Sequence, residues 1–512
     1  MNTWNESAKR EALMKMYEGT KHTEIAEEFI LPDYLPDVRR IIRADAKPRL
    51  DGKFVSRGKV EYEGEVSCRI LFIDEENKLR SVSFNLPFAD AVEIPAVEEE
   101  CIANLLPTPQ SLSCRMVNPR RVAIRMRLDT EATVWCPCSF KPQFMGEPCN
   151  TEVKEETLSV LKLICAGENG LSAAADLEAD GALPQIGEVV SCDVDISFYE
   201  CKGADGKVLC RGDMPINIFY STPGEGGESY TVLFRKLPLA QVIAAEGVDE
   251  SYECTARGSV EDVKVTVSEN GFGERRILEL DITYRVYLNC VGNDSVTVVR
   301  DAYAPKSDVK TETETRTFCN FIRNYSTTFS ANHSVEKKDV TLTDADSVLS
   351  VTAQPKVDRV TLDPDNRKLV VEGSASASAV LNGADGLGCA DYEVPFRLEV
   401  EASGVPEQFT FNADVVCMSA RGRTDEEKLY TDLELQINLM ILGTAEQEIL
   451  RQAEFQAIAD EESVPQLRFF YPAEGETLWD VGRAFGVSQE SLAAANQVSG
   501  SVLPPVLIIP RK

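Results

Sequence analysis

Three stretches of the chain alternate apolar and polar residues over more than ten positions each. They are VAIRMRLDTEATV (122–134), ILELDITYRVYLNC (277–290) and LYTDLELQINLMIL (429–442). Successive side chains of a β-strand point to opposite faces, so this strict alternation predicts three long strands with one buried face each.

Two further segments recur in front of each long strand. The nearer one is marked by proline and reads NLPFADAVEIPAV (85–97), KLPLAQVIAAEGV (236–248) and EVPFRLEVEASGV (393–405). The farther one reads VEYEGEVSCRILF (60–72), VLCRGDMPINIFY (208–220) and LVVEGSASASAVL (369–381). Each copy of the farther segment contains one glycine, at Gly64, Gly212 and Gly373. A glycine inside a strand pattern predicts a β-bulge or the close approach of another backbone.

The recurring order predicts three tandem copies of one β-rich unit, at residues 46–145, 165–305 and 345–452. Turn-rich loops such as STPGEGGES (221–229) and NGADGLG (382–388) suit connections between paired strands. We therefore expect a mainly β protein in which each copy is an antiparallel β-sandwich or a barrel-like unit. The sequence has neither the βα alternation of a parallel sheet nor a G-x-x-x-x-G-K-[ST] phosphate-binding loop.

Helices are expected only at the ends of the chain and between the copies. Residues 5–28 carry spaced apolar residues among charges and predict one or two short helices. LPDYLPDVRRII (31–42) predicts a turn into a brief helix, because proline suits the first helical position. We therefore assign residues 1–45 to an N-terminal helical segment with its lead-in motif. Linkers are expected at 145–180, 303–345 and 452–466, and KTETETRT in the second linker fits an exposed strand or connector.

Residues 467–512 predict a small βααβ module. Thr477 and Asp480 match a capping box at the start of one helix, and Gly486 suits a left-handed cap at its end. Ser488 caps a second helix that closes at Asn496, between strands expected near residues 468–471 and 506–509. The predicted core of the module consists of Leu478, Val481, Phe485, Val487, Leu492, Leu507 and Ile509.

The charge balance and the histidine count disfavour several classes of function. The formal net charge is −31, which disfavours binding to nucleic acid or anionic lipid heads and favours partners with basic patches. The chain has only two histidines, and we find no nucleophile motif, so we expect neither an enzyme nor a cofactor. No apolar run reaches the length of a membrane-spanning helix.

The fifteen cysteines are dispersed along the chain. The first residues lack a basic segment followed by an apolar core, so we expect no secretory signal, a cytoplasmic location and reduced thiols. Cys136, Cys138 and Cys149 are weak candidates for metal ligands. A C-x-C pair with a third cysteine and no nearby histidine is an incomplete zinc pattern, so we expect no metal site.

The first copy resembles the SPOCS (spore-coat-associated) domain family. The residues that carry this resemblance are LPDYLPDVRRIIRADAKPRL (31–50), the G-x-V-x-x-x-G spacing at 58–64 and LPF (86–88). The closing stretch YPAEGETLWDVGRAFGVSQESLAAANQ (471–497) resembles a LysM module. Three SPOCS-like units followed by one LysM module is an arrangement found in clostridial spore-coat morphogenetic proteins.

This resemblance implies a non-enzymatic scaffold in the mother cell of a sporulating bacterium, located at the forespore surface in the spore coat. It also implies that the LysM module docks on the coat's basement-layer ATPase, stage IV sporulation protein A, and promotes forespore encasement. The alternative is a peptidoglycan-binding protein that acts on cell wall or spore cortex, because LysM modules in most settings bind N-acetylglucosamine polymers.

The resemblance also maps candidate binding residues onto two loops. Glycan-binding LysM modules use the loop after the first strand and the loop before the last, which here are 474–478 and about 498–505. The candidate partner- or glycan-binding residues are Glu474, Gly475, Glu476, Thr477, Leu478, Trp479, Asn496, Leu503, Pro504 and Pro505.

The chain departs from the usual LysM pattern at three places. Pro504-Pro505 stands where the family usually has Gly-Gln, Glu476 stands in place of Asp, and Gly482 in place of Ala. Proline has no backbone N–H, so the second loop offers fewer donors to sugar hydroxyls. The departures favour a LysM fold that is used as a protein-docking surface.

Overall fold

The three alternating stretches are the middle strands of three two-layered units. The computed structural model describes residues 12–146, 150–223, 228–305, 307–340, 345–383, 386–457, 468–498 and 503–510. Unit 1 comprises β1 (Ala12–Ile30), β2 (Val38–Ser56), β3 (Lys59–Asp74), β4 (Leu79–Glu93), β5 (Ile102–Asn118) and β6 (Arg121–Cys138), and the short β7 (Gln143–Met145) follows it.

Units 2 and 3 repeat this order of strands, except that in unit 2 the two shorter strands β9 and β10 take the place of a single strand. Unit 2 comprises β8 (Glu152–Glu178), β9 (Val189–Val194), β10 (Ser197–Ala204), β11 (Lys207–Thr222), β12 (Ser229–Ala244), β13 (Glu253–Glu269) and β14 (Arg275–Tyr303). Unit 3 comprises β15 (Ser307–Glu336), β16 (Ala345–Asp363), β17 (Lys368–Gly383), β18 (Gly386–Glu401), β19 (Phe409–Thr424) and β20 (Lys428–Ala457), with a 3₁₀ turn at Lys337–Val340. The C-terminal module comprises β21 (Arg468–Phe470), α1 (Leu478–Phe485), α2 (Gln489–Asn496) and β22 (Leu507–Ile509).

Each unit is a sandwich of two antiparallel sheets. In unit 1 the sheet β2-β3-β4 packs on β1-β6-β5, and in unit 3 β16-β17-β18 packs on β15-β20-β19. Unit 2 follows the same plan, and β10 also pairs with β13 at one point, which joins its two sheets. The prediction of a mainly β protein built from three antiparallel units is confirmed, and among the described residues the sheets form sandwiches rather than a closed barrel.

The recurring glycines sit where another backbone comes too close for any side chain. A Cβ atom would lie 2.1 Å from the carbonyl oxygen of Arg49 at Gly64, 2.1 Å from that of Ser197 at Gly212, and 2.2 Å from that of Lys356 at Gly373. The register of the neighbouring strand shifts opposite each glycine, as it does at a β-bulge. The expectation of a bulge or a close approach is confirmed in all three copies.

The three sandwiches close into a ring. Strand β4 of unit 1 contacts β9 of unit 2, β12 of unit 2 contacts β16 of unit 3, and β18 of unit 3 contacts β2 of unit 1. Leu71, Phe219 and Val380 each follow their bulge glycine by seven residues, and all three are buried in one shared cluster. Equivalent positions of the three copies therefore meet around a pseudo-threefold axis.

A second cluster lies on the long strands of the ring. Trp135, Val291 and Leu442 lie thirteen residues after Val122, Leu278 and Leu429 of the alternating stretches, and they are buried together. Because every unit supplies at least one residue to each cluster, no unit completes either cluster alone. The repeated sequence thus forms an internal pseudo-trimer within one chain.

Ion pairs link each unit to the next around the ring. Arg69 lies 2.6 Å from Asp193 between units 1 and 2, and Lys236 lies 2.7 Å from Glu434 between units 2 and 3. Lys356 lies 3.3 Å from Glu131 and joins unit 3 to unit 1.

Asp193 is the most strongly perturbed carboxylate of these contacts. Burial desolvates this carboxylate and acts to raise its pKa, but Arg69, Lys47 and Arg43 outweigh that effect and lower the pKa to about 2. Its ionised form therefore stabilises the junction between units 1 and 2 at neutral pH.

Units 2 and 3 extend beyond the ring as an arm. We define the arm as residues 152–160, 294–304, 307–318 and 445–457, which comprise the outer parts of β8, β14, β15 and β20 and the residue after β14. The two strand pairs bury apolar residues against each other, and β7 pairs in parallel with β20. Unit 1 has no such extension, because β6 ends at Cys138.

The N-terminal helices and two of the linkers were wrong predictions. Residues 12–30 form β1, which completes the sheet of unit 1 by pairing with β6, and residues 31–37 are a turn before β2. Residues 1–11 lie outside the described residues. The expected linkers 145–180 and 303–345 consist mainly of β8 and β15, so the three units begin earlier than 46, 165 and 345.

The strands β1, β8 and β15 were not predicted because their pairing partners, not their own sequences, hold them in the sheets. The faces of β1, β8 and β15 carry many half-buried polar residues, which hides their period of two. They are held by pairing with a strand that is distant in sequence, which outweighs local preference. Within the expected linker 452–466, residues 452–457 belong to β20, and 458–466 lie outside the described residues.

A disulfide joins Cys101, directly before β5, to Cys136 of β6. Ile102 pairs with Trp135, so the register brings the two cysteines opposite each other across a sequence separation of 35 residues. The expectation of reduced thiols is wrong for this pair. Cys136 is consequently not a free thiolate for a metal, Cys138 is half-buried, and Cys149 lies outside the described residues.

Candidate functional site

The C-terminal module closes its own small hydrophobic core. Val481, Val487, Leu492, Leu507 and Ile509 are buried, and Leu478 and Phe485 pack against them. These are the seven core residues that the sequence predicts. Strands β21 and β22 pair in an antiparallel sheet below the two helices.

Capping interactions fix the helix that follows the first loop. The backbone N–H of Thr477 donates to the Asp480 carboxylate at 2.9 Å, and the N–H of Asp480 donates to the Thr477 hydroxyl at 3.4 Å. The hydrogen bonds from Thr477 lower the pKa of Asp480. Gly486 ends the helix with φ of 62°, so the predicted capping box and left-handed cap are confirmed.

The first candidate loop is an exposed acidic turn. Glu474, Gly475 and Thr477 are exposed, and Glu476 is half-buried. The Glu476 carboxylate accepts a 2.8 Å hydrogen bond from the N–H of Ala473, which braces the turn. Gly475 has φ of 89°, a conformation that favours glycine. Leu478 belongs mainly to the core of the module.

The second candidate loop is described at Val498 and from Leu503 onward. Leu503 packs against the core of the module, Pro504 is half-buried and Pro505 is exposed. The two prolines leave this part of the rim without backbone N–H donors. Pro505 therefore offers apolar surface rather than hydrogen-bond donors to a ligand.

Asn496 and Trp479 are not on the exposed rim. Asn496 donates to the carbonyl oxygen of Ile508 at 2.8 Å and accepts from its N–H at 2.6 Å, so it ties α2 to β22. Trp479 is 6% exposed and meets Tyr303 of the arm edge-to-face, with ring centroids 4.9 Å apart. The structure thus brings together Glu474, Gly475, Glu476 and Thr477 in the first loop, while Pro505 marks the second.

Family comparisons match both kinds of unit. A model described as the SipL SPOCS domain matches residues 37–117 and 185–268, and a LysM domain model matches residues 473–509. The chain therefore contains two segments similar to the SipL SPOCS domain and one segment similar to a LysM domain, an arrangement that resembles SipL. Comparison with curated proteins and with solved structures finds no match.

The matched SPOCS segments correspond to strands β2 to β5 of unit 1 and β9 to β13 of unit 2. Unit 3 is not matched, but it has the same strand order, the same bulge glycine and the same place in the ring. The SPOCS and LysM domains fit a sporulation protein associated with the spore coat that carries a module of the peptidoglycan-binding type.

Sequence reasoning did not find two exposed aromatic residues of the LysM module. Phe469 in β21 is 58% exposed and Tyr471, directly after that strand, is 72% exposed, whereas Phe470 between them packs against the core. The period of two in residues 468–471 is the signal that could have found them. Tyr303 was also missed, because nothing local marks it as a contact of a distant module.

The described residues contain no group of three His, Cys, Asp or Glu side chains that could hold a metal ion. Among the same residues, neither helix has the length and the apolar composition of a membrane span. His22 lies 2.6 Å from Asp129 and 3.0 Å from Arg127. Those contacts place it in a surface network of charges.

Proposed function

We propose that the chain is a non-enzymatic scaffold of the spore coat, located in the mother cell at the forespore surface. In this proposal the ring of SPOCS units is a platform, and the LysM module is an adaptor that docks on a coat ATPase of the stage IV sporulation protein A type. Docking promotes encasement of the forespore by the coat.

The proposal rests on the composition of the two exposed LysM loops. Pro504 and Pro505 remove two backbone donors from the loop that would face a sugar, and Glu474 adds an exposed carboxylate in the neighbouring loop. Apolar surface beside fixed negative charge suits a protein surface with basic residues. The net charge of −31 supports the same kind of partner through long-range attraction.

The architecture of the ring supports a platform role. The units share two buried clusters, and ion pairs join every pair of neighbours. Such mutual burial resists separation of the units, so surfaces displayed on the ring keep their relative positions. One cleft lies between units 2 and 3, and another lies between the arm and the LysM module.

Binding of the full chain to purified stage IV sporulation protein A tests the proposal. Glu474→Arg reverses an exposed charge in the first loop, and we expect it to weaken binding about tenfold, equivalent to about 1.4 kcal/mol. Glu490→Arg is the matched control, because Glu490 is an exposed glutamate at the start of α2, away from both loops. Equal binding by the wild type and both variants would contradict the proposal.

The second candidate function is binding to peptidoglycan. It is favoured by the intact LysM core and by the exposure of Glu474, Gly475 and Pro505. Sedimentation of the full chain with purified peptidoglycan distinguishes the two functions. If the chain is retained in the pellet, and Glu474→Arg or a Pro505 variant reduces that retention, the result would favour glycan binding. If the chain stays in the supernatant, the result would favour docking on a protein partner.

A further inference from the structure

The buried Trp479 does not belong to the core of its own module. The LysM core is built from α1, α2 and the two short strands, and Trp479 is absent from that cluster. It is nevertheless only 6% exposed. A tryptophan side chain buries a large apolar area, so a surface outside the module must cover it.

The arm supplies that surface. The Tyr303 ring stands edge-to-face against Trp479, and its hydroxyl donates a buried 3.0 Å hydrogen bond to the carbonyl oxygen of Val487. Tyr303 is 2% exposed, and this burial raises the pKa of its hydroxyl, which keeps the hydroxyl protonated as a donor.

Polar contacts surround this aromatic pair. Arg483 of α1 forms an ion pair with Asp301 of the arm. Gln489 at the start of α2 donates to Glu152 of the arm at 3.1 Å. A buried aromatic centre with a charged and polar rim is the usual composition of a specific interface.

Gly482 allows the two surfaces to approach. A Cβ atom at this position would lie 2.3 Å from the Tyr303 hydroxyl oxygen and 2.8 Å from the carbonyl oxygen of Val487. Glycine in the middle of a helix costs helix stability relative to alanine. The cost has a structural reason here, because the absent side chain leaves room for Tyr303.

We infer that the tip of the arm is a docking surface for the α1 face of the LysM module, and that the module is a fixed part of the scaffold. In this arrangement Trp479, Gly482 and Arg483 are occupied within the chain. The exposed loop residues Glu474 and Pro505 are not part of the contact. A partner can then reach these loops without displacing the arm. The inference does not depend on the identity of that partner.

Tryptophan fluorescence of the full chain tests the contact directly. Replacing Trp4 with phenylalanine leaves two tryptophans, Trp135 and Trp479, both of which are buried. We expect acrylamide to quench this background variant weakly. Tyr303→Ala should add a strongly quenched, red-shifted component, and Tyr303→Phe, which keeps the ring and loses the hydrogen bond, should give a smaller change.

Two further variants make the result specific. Trp479→Phe should remove the added component in the Tyr303→Ala background, which assigns it to Trp479. Phe54→Ala removes an exposed aromatic residue of the ring instead, and we expect no quenched component from it. Strong quenching of Trp479 in the chain with native Tyr303, or equal quenching in the Phe54→Ala variant, would overturn the inference.

Discussion

The ring and the LysM module bury tryptophan in two different ways. In the ring, Trp135 lies in a cluster to which all three units contribute, and the polypeptide closes around it from several strands. In the LysM module, Trp479 lies outside the local core and meets Tyr303 of the arm across an interface that occurs once in the chain. A substitution of Trp135 should destabilise the whole ring, whereas a substitution of Trp479 should release only the LysM module.

This difference follows from the origin of the contacts. The clusters of the ring are repeated, since equivalent positions of three copies meet, and each copy needs the other two. The contact between arm and LysM occurs once and uses the extra strand length that only units 2 and 3 possess. The repeated contacts therefore make the ring a cooperative platform. The unrepeated arm fixes the LysM module at one position on that platform.

The largest effect is expected from Trp135→Ala. Loss of a buried tryptophan leaves a cavity in the shared cluster, and we expect the ring to lose about 4 kcal/mol of unfolding free energy. Urea unfolding followed by circular dichroism measures it. Phe54→Ala removes an aromatic residue that is 63% exposed, and its effect should stay within about 0.5 kcal/mol. Similar losses in both variants would mean that Trp135 is not in a cooperative core.

Gly373→Ala should be nearly as damaging although it adds only one methyl group. The new Cβ would lie 2.2 Å from the carbonyl oxygen of Lys356, and backbone cannot retreat as a side chain can. We expect a loss of about 3 kcal/mol in the same unfolding experiment. Gly170→Ala, with open space around the added atom, is the control and should be close to neutral. An unchanged midpoint for Gly373→Ala would show that the bulge can shift.

These two variants also show which features of the fold could be predicted from the sequence. The bulge glycines were predictable, because each interrupts a strand pattern in the same place in three copies. The capping residues Thr477 and Gly486 and the LysM core were predictable for a similar reason, since their interactions are local in sequence. Interactions between residues that are close in sequence can therefore be predicted from the sequence of that segment.

Ring closure and the arm could not be predicted in this way. Leu71, Phe219 and Val380 look like ordinary strand residues, and nothing in their own segments says that they meet. Strand β1 was mistaken for helix because its partner β6 lies far along the chain. For the same reason Trp479 was assigned to the binding surface, although its contact is Tyr303. Long-range pairing decides these features, and a single sequence does not display it.

A smaller effect is expected from the charges between units 1 and 2. The pKa of Asp193 is about 2 in the folded protein, below its value in an unfolded chain, so its ionised form stabilises the ring. This contribution, about 2 kcal/mol by linkage, is present above pH 4 and is lost as the pH falls toward 2. Asp193→Asn should therefore be less stable than the wild type at pH 7.

The pH dependence of that difference separates charge from packing. Urea midpoints of the wild type and of Asp193→Asn should converge as the pH falls from 4 toward 2, because the Asp193 carboxylate is then protonated in the unfolded chain before it is protonated in the folded protein. A difference between the two proteins that stays constant over this range would assign the effect to shape rather than to the charge that faces Arg69.

The smallest effect on the ring is expected from Trp479→Ala, despite a burial similar to that of Trp135. The substitution removes the aromatic contact with Tyr303 but leaves the clusters of the ring and the LysM core intact. The urea midpoint of the strand signal should stay within about 0.5 kcal/mol of the wild type, while hydrogen exchange should increase in residues 478–490 and 299–304. A loss of ring stability comparable to that of Trp135→Ala would mean that the arm transmits the contact into the ring, and the module would then be part of the platform's cooperative core rather than a fixture on its arm.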